Sequence, residues 1–402
     1  MKTRIFLFSL IIGVVSCKKD DIKPVVITQQ ESIISTDIIK PIADNVMIHA
    51  ESMKIINLNG KYYFITSFAN INGGEYDYFR SYEIDTTKGI LTENTPSFLG
   101  GYENVGFPKS PFFYEDLNGD GIKDLFEVDH GKEITKINGN WPGYKNHLFY
   151  GTPDGKFKIA NVNSLTDTAR FHHNASVADI DKDGDQDLLL QAFSEKDEMI
   201  LFKNNNGLSK SITIAPHNST GAVLMDDVDN DGQTEIISAP YINGPNIILF
   251  NNSGVKVKQS QNDPFGIGFG CYKIFKINKN IFYCAEDGKG SQKLFKSQDN
   301  DATKVSEIII NNNDIRDVVL TDLNQDGSTD ILFIVNKGVM GLNSRVLLNN
   351  GDNTFTNSKW SIDNNLKGFF IPISITKNKI KFLYIEDFGK GPNFRIIDVY
   401  SS

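Results

Sequence analysis

Residues 179–188 read DIDKDGDQDL, and related stretches begin at Asp116 (DLNGDGIKDL), Asp227 (DVDNDGQTEI) and Asp322 (DLNQDGSTDI). The shared pattern places oxygen-bearing side chains at positions 1, 3, 5 and 9, and a glycine at position 6 that permits a sharp turn. Oxygens at this spacing can converge on one hard cation, and the backbone carbonyl of position 7 can complete the shell. The pattern therefore predicts a metal-binding loop that occurs four times.

Calcium is the cation that these loops favour. Without a cation, each close pair of carboxylates costs about 4 kcal/mol at 4 Å when the effective dielectric is near 20. Calcium accepts a flexible all-oxygen shell, whereas magnesium prefers a tighter octahedron and keeps its waters. No His or Cys occupies a ligand position, which argues against zinc or copper. Four calcium ions would cancel most of the formal net charge of −9, so the acidity is local to the loops and does not predict a nucleic-acid partner.

Two other interpretations of the loops are weaker. An EF-hand needs a glutamate at position 12 between two helices. Only one loop of four has it, since position 12 is occupied by Glu127, Leu190, Ser238 and Phe333. The flanking segments are apolar and contain β-branched residues, which is typical of strands. A hairpin turn that binds nothing would explain one acidic loop, but not four with the same acid positions.

The spacing of the loops predicts a repeat. The third positions, Asn118, Asp181, Asp229 and Asn324, are separated by 63, 48 and 95 residues, and the last gap is about twice 48. A hairpin without carboxylates, 272–277 and 281–285, fills this gap. Similar hairpins occur at 373–376 with 380–385, and at 53–56 with 62–65. Lysines stand in two of these three turns, so we expect no metal there.

Seven units result, with turn centres near residues 58, 118, 181, 229, 279, 324 and 378. A third strand ending in an Asn/Gly turn follows in 201–207, 249–254 and 347–355. Four-stranded units that repeat every 40–50 residues are typical of propeller blades. We therefore predict an all-β, seven-bladed β-propeller with little helix, closed by a strand at 395–400 or near 46–50. The apolar residue after each last acid should lie in the core: Leu125, Leu188, Ile236 and Ile331.

At these residues the chain resembles the FG-GAP and VCBS repeat proteins, which include the propeller of integrin alpha subunits. The resemblance covers most of residues 45–402, with four matching blades and three degenerate ones. It implies structural calcium in the loops and a ligand at the opposite rim. It also implies about four Ca²⁺ ions held by four residue sets: Asp116, Asn118, Asp120, Ile122 and Asp124; Asp179, Asp181, Asp183, Asp185 and Asp187; Asp227, Asp229, Asp231, Gln233 and Glu235; Asp322, Asn324, Asp326, Ser328 and Asp330.

Residues 1–17 resemble a bacterial lipoprotein signal peptide. Lys2 and Arg4 precede a short apolar core, and the segment ends in Val-Val-Ser-Cys, so Cys17 would carry lipid. An ordinary secretory signal is the alternative. The acidic start of the mature chain resembles an export tag of surface lipoproteins. Residues 18–44 are expected to be a flexible tether, which places the 45–402 propeller at the cell outer membrane, exposed at the surface.

The remaining cysteines, Cys271 and Cys284, lie on two strands of one predicted hairpin. An oxidising compartment permits a disulfide between them, and two buried free thiols are an equal alternative, because the sequence does not fix the register.

Candidate active-site residues are few. His172 and His173 could act as base or ligand, but a structural role is more common for such a pair. Serine-hydrolase, zinc-protease and P-loop motifs are absent. The first two blades have longer loops, and one of these holds Trp141, Tyr144 and His147, whose aromatic rings could stack on sugars if exposed. Burial of Trp141 against the rim is the alternative.

These observations favour a non-enzymatic, calcium-stabilised adhesion or carbohydrate-binding propeller. It would be a monomer, anchored to the membrane by lipid, that binds a glycan or a surface protein. A polysaccharide lyase or hydrolase on the same scaffold is the alternative, and a purely structural role in an envelope complex is a third.

Overall fold

A computed structural model describes residues 32–33, 46–70, 77–106, 111–129, 131, 143–162, 165–166, 170–192, 198–214, 220–241, 246–261, 264–266, 268–287, 289, 292–308, 315–335, 346–357, 368–376, 379–386 and 393–400. The leader with Cys17, most of the segment 18–44, and Trp141 lie outside these residues. Within the described part of the chain, no helix is long and apolar enough to span a membrane.

The described strands form seven antiparallel sheets, and we number the blades in chain order. Blade 1 contains β2 (Val46–Leu58), β3 (Lys61–Asn70), β4 (Asp77–Asp85) and β5 (Ile90–Glu93), and β6 (Asn104–Val105) also pairs with β4. Blade 2 contains β7 (Phe112–Glu115), β8 (Asp124–Glu127), β9 (His147–Gly151) and β10 (Phe157–Ile159). Blade 3 contains β11 (His172–Ala178), β12 (Asp187–Ala192), β13 (Met199–Asn204) and β14 (Leu208–Ile214). One short helix, α1 (Thr95–Phe98), follows blade 1.

The second half of the ring repeats this order. Blade 4 contains β15 (Thr220–Asp226), β16 (Glu235–Pro240), β17 (Ile248–Phe250) and β18 (Lys256–Gln259). Blade 5 contains β19 (Gly270–Ile277), β20 (Asn280–Glu286), β21 (Gln292–Gln298) and β22 (Asp301–Ile308). Blade 6 contains β23 (Ile315–Thr321), β24 (Asp330–Val335), β25 (Val346–Asn349) and β26 (Phe355–Asn357). Blade 7 contains β27 (Phe369–Thr376), β28 (Lys379–Glu386), β29 (Asn393–Tyr400) and β1 (Ser32–Ile33).

The seven-bladed prediction is confirmed, and so are all seven turn positions. Each predicted turn centre falls between the first and second strand of one blade or at the end of the first strand, as residue 58 does in blade 1. The three Asn/Gly marks follow the third strands β13, β17 and β25. First strands of successive blades contact one another, for example β11 with β15 and β15 with β19, so the first strand of each blade lies nearest the axis.

The closing blade uses the strand at 395–400, as predicted, and not the alternative near 46–50. Residues 395–400 belong to β29, the third strand of blade 7, and residues 46–50 belong to the first strand of blade 1. The outer strand of blade 7 is β1, in which Ser32 lies opposite Ile396 and Ile33 opposite Arg395. Two residues of the predicted tether, Ser32 and Ile33, therefore take part in the last sheet.

The core lies between the faces of neighbouring blades. Leu125, Leu188, Ile236 and Ile331 are fully buried, as predicted. Each of these residues packs with apolar side chains of an adjacent blade, as Leu188 does with Phe126 of blade 2. Alternate residues of a strand face opposite sides, so one blade contributes to two such clusters. Leu188 and its neighbour Leu189 illustrate this, because Leu189 packs instead with Val223 of blade 4.

A register shift recurs in the first strands. It lies between His172 and Asn174 in β11, between Thr220 and Ala222 in β15, and at comparable places in β2, β19, β23 and β27. Bulges of this kind bend a strand and increase its twist. In blade 4 the extra residue is Gly221, and a Cβ there would lie 2.0 Å from the carbonyl oxygen of Cys271 on blade 5. The backbones of the two first strands therefore approach more closely than a side chain allows.

We expect Gly221→Ala to destabilise the protein by about 3 kcal/mol, because the methyl group must push two packed strands apart. Gly60→Ala is the matched control: Gly60 has φ +81° and open space around its Cβ position, so only the backbone conformation costs energy, about 1 kcal/mol. Denaturant unfolding of both variants measures the difference. Equal losses would show that the strands are not in contact at Gly221.

Candidate functional site

The four acidic loops lie at one end of the propeller. Each connects the first and second strand of its blade, in blades 2, 3, 4 and 6. We call this end the metal-loop rim and the other end the opposite rim. Loops of adjacent blades contact each other: the Thr234 hydroxyl donates to the carbonyl oxygen of Asp179, 2.9 Å away.

The first aspartate of each loop closes the turn. One of its oxygens accepts the backbone N–H of the glycine five residues later, at 2.7 Å for Asp116 and at 3.0 Å for Asp179 and Asp227. Asp322 makes the same bond at 2.8 Å. These glycines have positive φ, between +82° and +99°, which explains why the pattern requires glycine at position 6.

The ninth residue ties each loop to the body of its blade. Asp187 is fully buried; one oxygen accepts the N–H of Ile180 and the other that of Asn204 on the third strand, both at 2.8 Å. Asp124 and Asp330 repeat this arrangement, with Gly151 and Asn349 on the third strands. In blade 4 the longer Glu235 accepts the N–H of Val228 at 3.1 Å.

These buried carboxylates are costly to ionise. Burial raises the pKa of Asp124 and Asp330 to about 6 and the pKa of Glu235 to about 7, and neighbouring loop carboxylates add to the increase. Burial also raises the pKa of Asp187. A divalent cation beside these groups would favour their charged forms.

Blades 3 and 4 bring the acids of positions 1, 3 and 9 together. The oxygens of Asp179, Asp181 and Asp187 lie within 4.8 Å of one another, and so do those of Asp227, Asp229 and Glu235. In each group one oxygen of the first aspartate is buried without a hydrogen-bond partner: Oδ1 of Asp179 and Oδ1 of Asp227. A buried, unpaired carboxylate oxygen beside two other acids fits a cation ligand, so these two clusters could hold metal ions.

Blades 2 and 6 are arranged differently, because position 3 is asparagine. The Asn118 amide donates to Asp120 at 3.1 Å, and the Asn324 amide donates to Asp326 at 2.9 Å. Both oxygens of Asp116 already accept backbone N–H groups. Among the described residues, groups of three converging acids therefore occur in blades 3 and 4 only.

Positions 5 and 7 of the loops do not belong to the groups of converging acids. The fifth-position aspartate accepts the N–H of the seventh residue in all four loops, as Asp183 does from Asp185 at 3.0 Å. Asp183 and Asp231 lie outside the two groups of converging acids. The metal-binding carbonyls predicted for Ile122, Asp185, Gln233 and Ser328 stay a prediction.

Lysines contact this rim. Lys203 lies 2.8 Å from Asp181, and Lys276 of blade 5 lies 2.7 Å from Asp226, next to the loop of blade 4. Their ammonium groups offset part of the negative charge of this rim. Lys279 occupies the blade 5 turn itself, where blades 2, 3, 4 and 6 carry acids.

The predicted ligand loop is largely built into the opposite rim. His147 is fully buried, with Nε2 3.0 Å from Asp129 and Nδ1 3.8 Å from Glu103. Burial opposes protonation of His147, but both carboxylates outweigh it and raise its pKa. Lys145 pairs with Glu103, and Tyr144 is half-buried. His147 is therefore not available to stack on a ligand, which corrects the sequence-based expectation for this residue.

Glycines hold this part of the rim together. A Cβ on Gly131 would lie 2.4 Å from the carbonyl carbon of Gly143, and a Cβ on Gly143 would lie 2.0 Å from that of Arg170. Asp129 accepts the N–H groups of Gly106 and Gly131. Three backbone segments thus meet around one buried carboxylate. The sequence motifs did not identify Asp129 or Glu103, because isolated acids in loops carry no pattern.

His172, the first residue of the histidine pair, has a structural role. His172 is 3% exposed, and neither ring nitrogen has a hydrogen-bond partner. Burial lowers its pKa to about 3, and the nearby Arg170 adds to the effect. His173 is half-buried and contacts Phe171. His172 is therefore a neutral core residue at the start of β11, with no substrate access.

Cys271 and Cys284 are free and buried. Cys271 packs in the cluster between blades 4 and 5, and Cys284 packs in the cluster between blades 5 and 6. The disulfide alternative is wrong in this structure, because the two thiols lie on opposite faces of one sheet.

Comparison with known proteins supports the fold. Residues 116–190, which contain the first two acidic loops, match the family model of the FG-GAP-like repeat. No curated protein gave a significant match. The crystal structure of BBS1N in complex with ARL6DN is similar over 89% of this chain and 94% of that chain, at 9% identity and a TM-score of 0.53.

Two further solved structures are similar at lower scores. The rhamnogalacturonan lyase PL11 of Bacillus licheniformis gives 12% identity, coverage of 93% of this chain and 76% of that chain, and a TM-score of 0.43. The periplasmic gluconolactonase PpgL of Pseudomonas aeruginosa gives 11% identity, coverage of 87% and 86%, and a TM-score of 0.44. At these identities the likeness concerns the fold alone.

The ninth and fifth positions should respond differently to amide substitution. Asp187→Asn places an NH₂ group against a backbone N–H, so we expect a loss of about 1–3 kcal/mol even in EDTA. Asp183→Asn changes an exposed group, so unfolding in EDTA should stay unchanged while the stabilisation by added calcium becomes smaller. Denaturant unfolding with and without calcium distinguishes the two. A calcium-independent loss in Asp183→Asn would contradict these assignments.

His172 should make the protein sensitive to acid. Its folded pKa of about 3 lies below the ordinary value of 6.5, so its contribution is retained above pH 6.5 and lost as pH falls toward 3. At pH 5 the penalty is about 2 kcal/mol. We expect His172→Leu to gain stability relative to wild type between pH 7.5 and pH 5. An unchanged difference between the two proteins across this range would show that His172 protonates freely.

Proposed function

We propose that this seven-bladed propeller with FG-GAP-like repeats is a calcium-stabilised binding protein. It is held at the bacterial cell surface by a lipid on Cys17 and recognises a glycan or surface protein without catalysing a reaction. The geometry of the acidic loops supports calcium binding, whereas the ligand class and the cellular location are inferred from the sequence.

The observation that carries the calcium proposal is the pair of unpaired buried oxygens in blades 3 and 4. Oδ1 of Asp179 and Oδ1 of Asp227 each lie in a cluster of three acids. Leaving a buried charged oxygen unpaired costs more than about 1–3 kcal/mol. A hard divalent cation with oxygen ligands removes that cost and the mutual repulsion of the acids together. Blades 3 and 4 should bind more tightly than blades 2 and 6, where asparagine replaces one carboxylate.

Calcium would act on stability because it binds the folded loops. Positions 1 and 9 are eight residues apart and converge only when strands 1 and 2 of the blade are paired. At a free concentration of one hundred times Kd, each such site adds about 2.7 kcal/mol. Because the loops of blades 3 and 4 contact each other through Thr234, one ion would also order its neighbour's loop.

The burial and hydrogen bonding of the titratable side chains favour a binding role over catalysis. The buried carboxylates at the metal-loop rim are hydrogen-bonded to backbone, and His147 and His172 are both buried. General acid–base catalysis needs a titratable side chain within hydrogen-bond reach of substrate. Neither histidine meets this condition. The opposite rim, with the long segments of blades 1 and 2, is one surface that the propeller offers for a ligand.

Melting of the purified full chain tests the calcium proposal. We expect EDTA to lower Tm and added calcium to restore it, with magnesium less effective at the same concentration, and at least two ions per chain by metal analysis. An unchanged Tm, together with no bound metal in millimolar calcium, would overturn it.

Glycan-array binding of the calcium-loaded chain tests the ligand class, with reducing-end and unsaturated-product assays on the same polysaccharides. Binding without turnover supports the proposal, and reproducible turnover would replace it with the lyase or hydrolase alternative. Fatty-acid labelling of the wild type, lost in Cys17→Ser, tests the anchor; a label that persists would contradict it.

A further inference from the structure

A polar cleft of about 470 Å³ lies between the outer strands of blades 4 and 5. One wall is formed by β18 and the residues that follow it, and the other by Gln298 at the end of β21 and by β22. It is distinct from the acidic loops, because no residue of those loops lines it. Its volume is in the range of small-ligand sites, about 300–1,000 Å³.

The residues that line this cleft carry a net positive charge. Lys258 and Lys304 line it, and both approach one oxygen of Asp301, at 2.8 and 3.7 Å. Asp301 is the only acid among the lining residues, so one positive charge is in excess, on a chain whose formal net charge is −9. Local electrostatics therefore favour an anionic ligand here.

The Asp301 carboxylate holds the lysines in place. Its side chain is 10% exposed, and it accepts the N–H and the hydroxyl of Thr303 at 3.1 and 2.8 Å. Burial opposes its ionisation, but the bonds from Lys258 and Thr303 outweigh burial and lower its pKa. Asp301 thus stays charged and partly neutralises Lys258, whereas the Lys304 side chain is 62% exposed and 3.7 Å away. Lys304 is therefore the cation with most capacity for a second anion.

The remaining lining is suited to hydroxyl groups. Gln259, Gln261 and Gln298 contribute amides, whereas the hydroxyls of Ser260 and Thr303 already donate to the carbonyl oxygen of Gln261 and to Asp301. Amides both donate and accept hydrogen bonds, as sugar hydroxyls require. Aromatic and large apolar anchors, which dominate the centres of protein–protein interfaces, do not occur among the lining residues. The lining therefore favours a saccharide over a protein.

We propose that the cleft between β18 and β22 binds an anionic oligosaccharide, with Lys304 and Lys258 facing its carboxylate or sulfate group and the glutamine amides facing its hydroxyls. The inference rests on the proposed function and names the ligand class and the site. It moves the binding surface from the opposite rim to the side of the ring.

Lys304→Glu is the decisive variant, since it reverses the most exposed cation of the cleft and removes no hydrogen bond from the fold. Lys210→Glu is the matched control: it makes the same charge change on an exposed residue of β14, the outer strand of blade 3. The probes are a hexamer of galacturonic acid, a heparin hexasaccharide and cellohexaose, titrated by calorimetry into the calcium-loaded full chain at low salt.

We expect one anionic hexamer to bind at least about tenfold more tightly than cellohexaose. We expect Lys304→Glu to weaken this binding about tenfold and Lys210→Glu to leave it within about twofold. Raising the salt concentration should weaken wild-type binding, because exposed charges are screened. The preferred hexamer identifies carboxylate or sulfate as the group that the lysines bind.

Two results would overturn the inference and are distinguishable. If both lysine variants bind saccharide like wild type, the cleft is not the site, and the proposed function stands with another surface. If no saccharide binds while calcium still raises Tm, the inference and the glycan part of the proposed function fall together. Tm of each variant in calcium verifies that Lys304→Glu is folded.

Discussion

The buried carboxylate at the ninth position of each acidic loop is the interaction on which both blade and candidate metal site depend. In blades 2, 3 and 6 it accepts one backbone N–H from its own loop and another from the third strand of the blade. A single side chain therefore fixes the loop to the sheet. Hydrogen bonds to charged acceptors are roughly twice as strong as neutral ones, and these bonds are shielded from water.

The same burial creates the electrostatic problem that a cation would solve. Asp187 and Glu235 lie beside two further aspartates each, and burial raises the pKa of both groups. In blades 2 and 6 the repulsion is smaller, because asparagine replaces the acid at position 3 of the loop. Blade 5 avoids it, since its turn has no acid and Lys276 contacts the neighbouring loop. The blades thus share one backbone geometry but differ in how their charge is balanced.

The buried polar groups of the opposite rim hold backbone segments together and do not form a candidate metal site. Asp129 binds two glycine N–H groups and His147, where three backbone segments cross too closely for side chains. This network stabilises the base of the long segments in blades 1 and 2. The positive cleft beside β18 has no such network of buried charges; its lysine side chains are half exposed or more. These exposed cations remain accessible from solvent, which a ligand site requires.

The amino-acid sequence by itself determined the all-β class, the seven blades and the position of every first turn. These follow from local rules: glycine at a positive φ, alternating apolar strands, and acids at fixed spacing. It also identified the residues that converge in blades 3 and 4. Ring closure by Ser32–Ile33, the opposite faces of Cys271 and Cys284, and the burial of His147 and His172 were decided by the tertiary structure. Each depends on which strands, loops and blade faces pack together in three dimensions, and the spacing of residues along the chain carries no information about that packing.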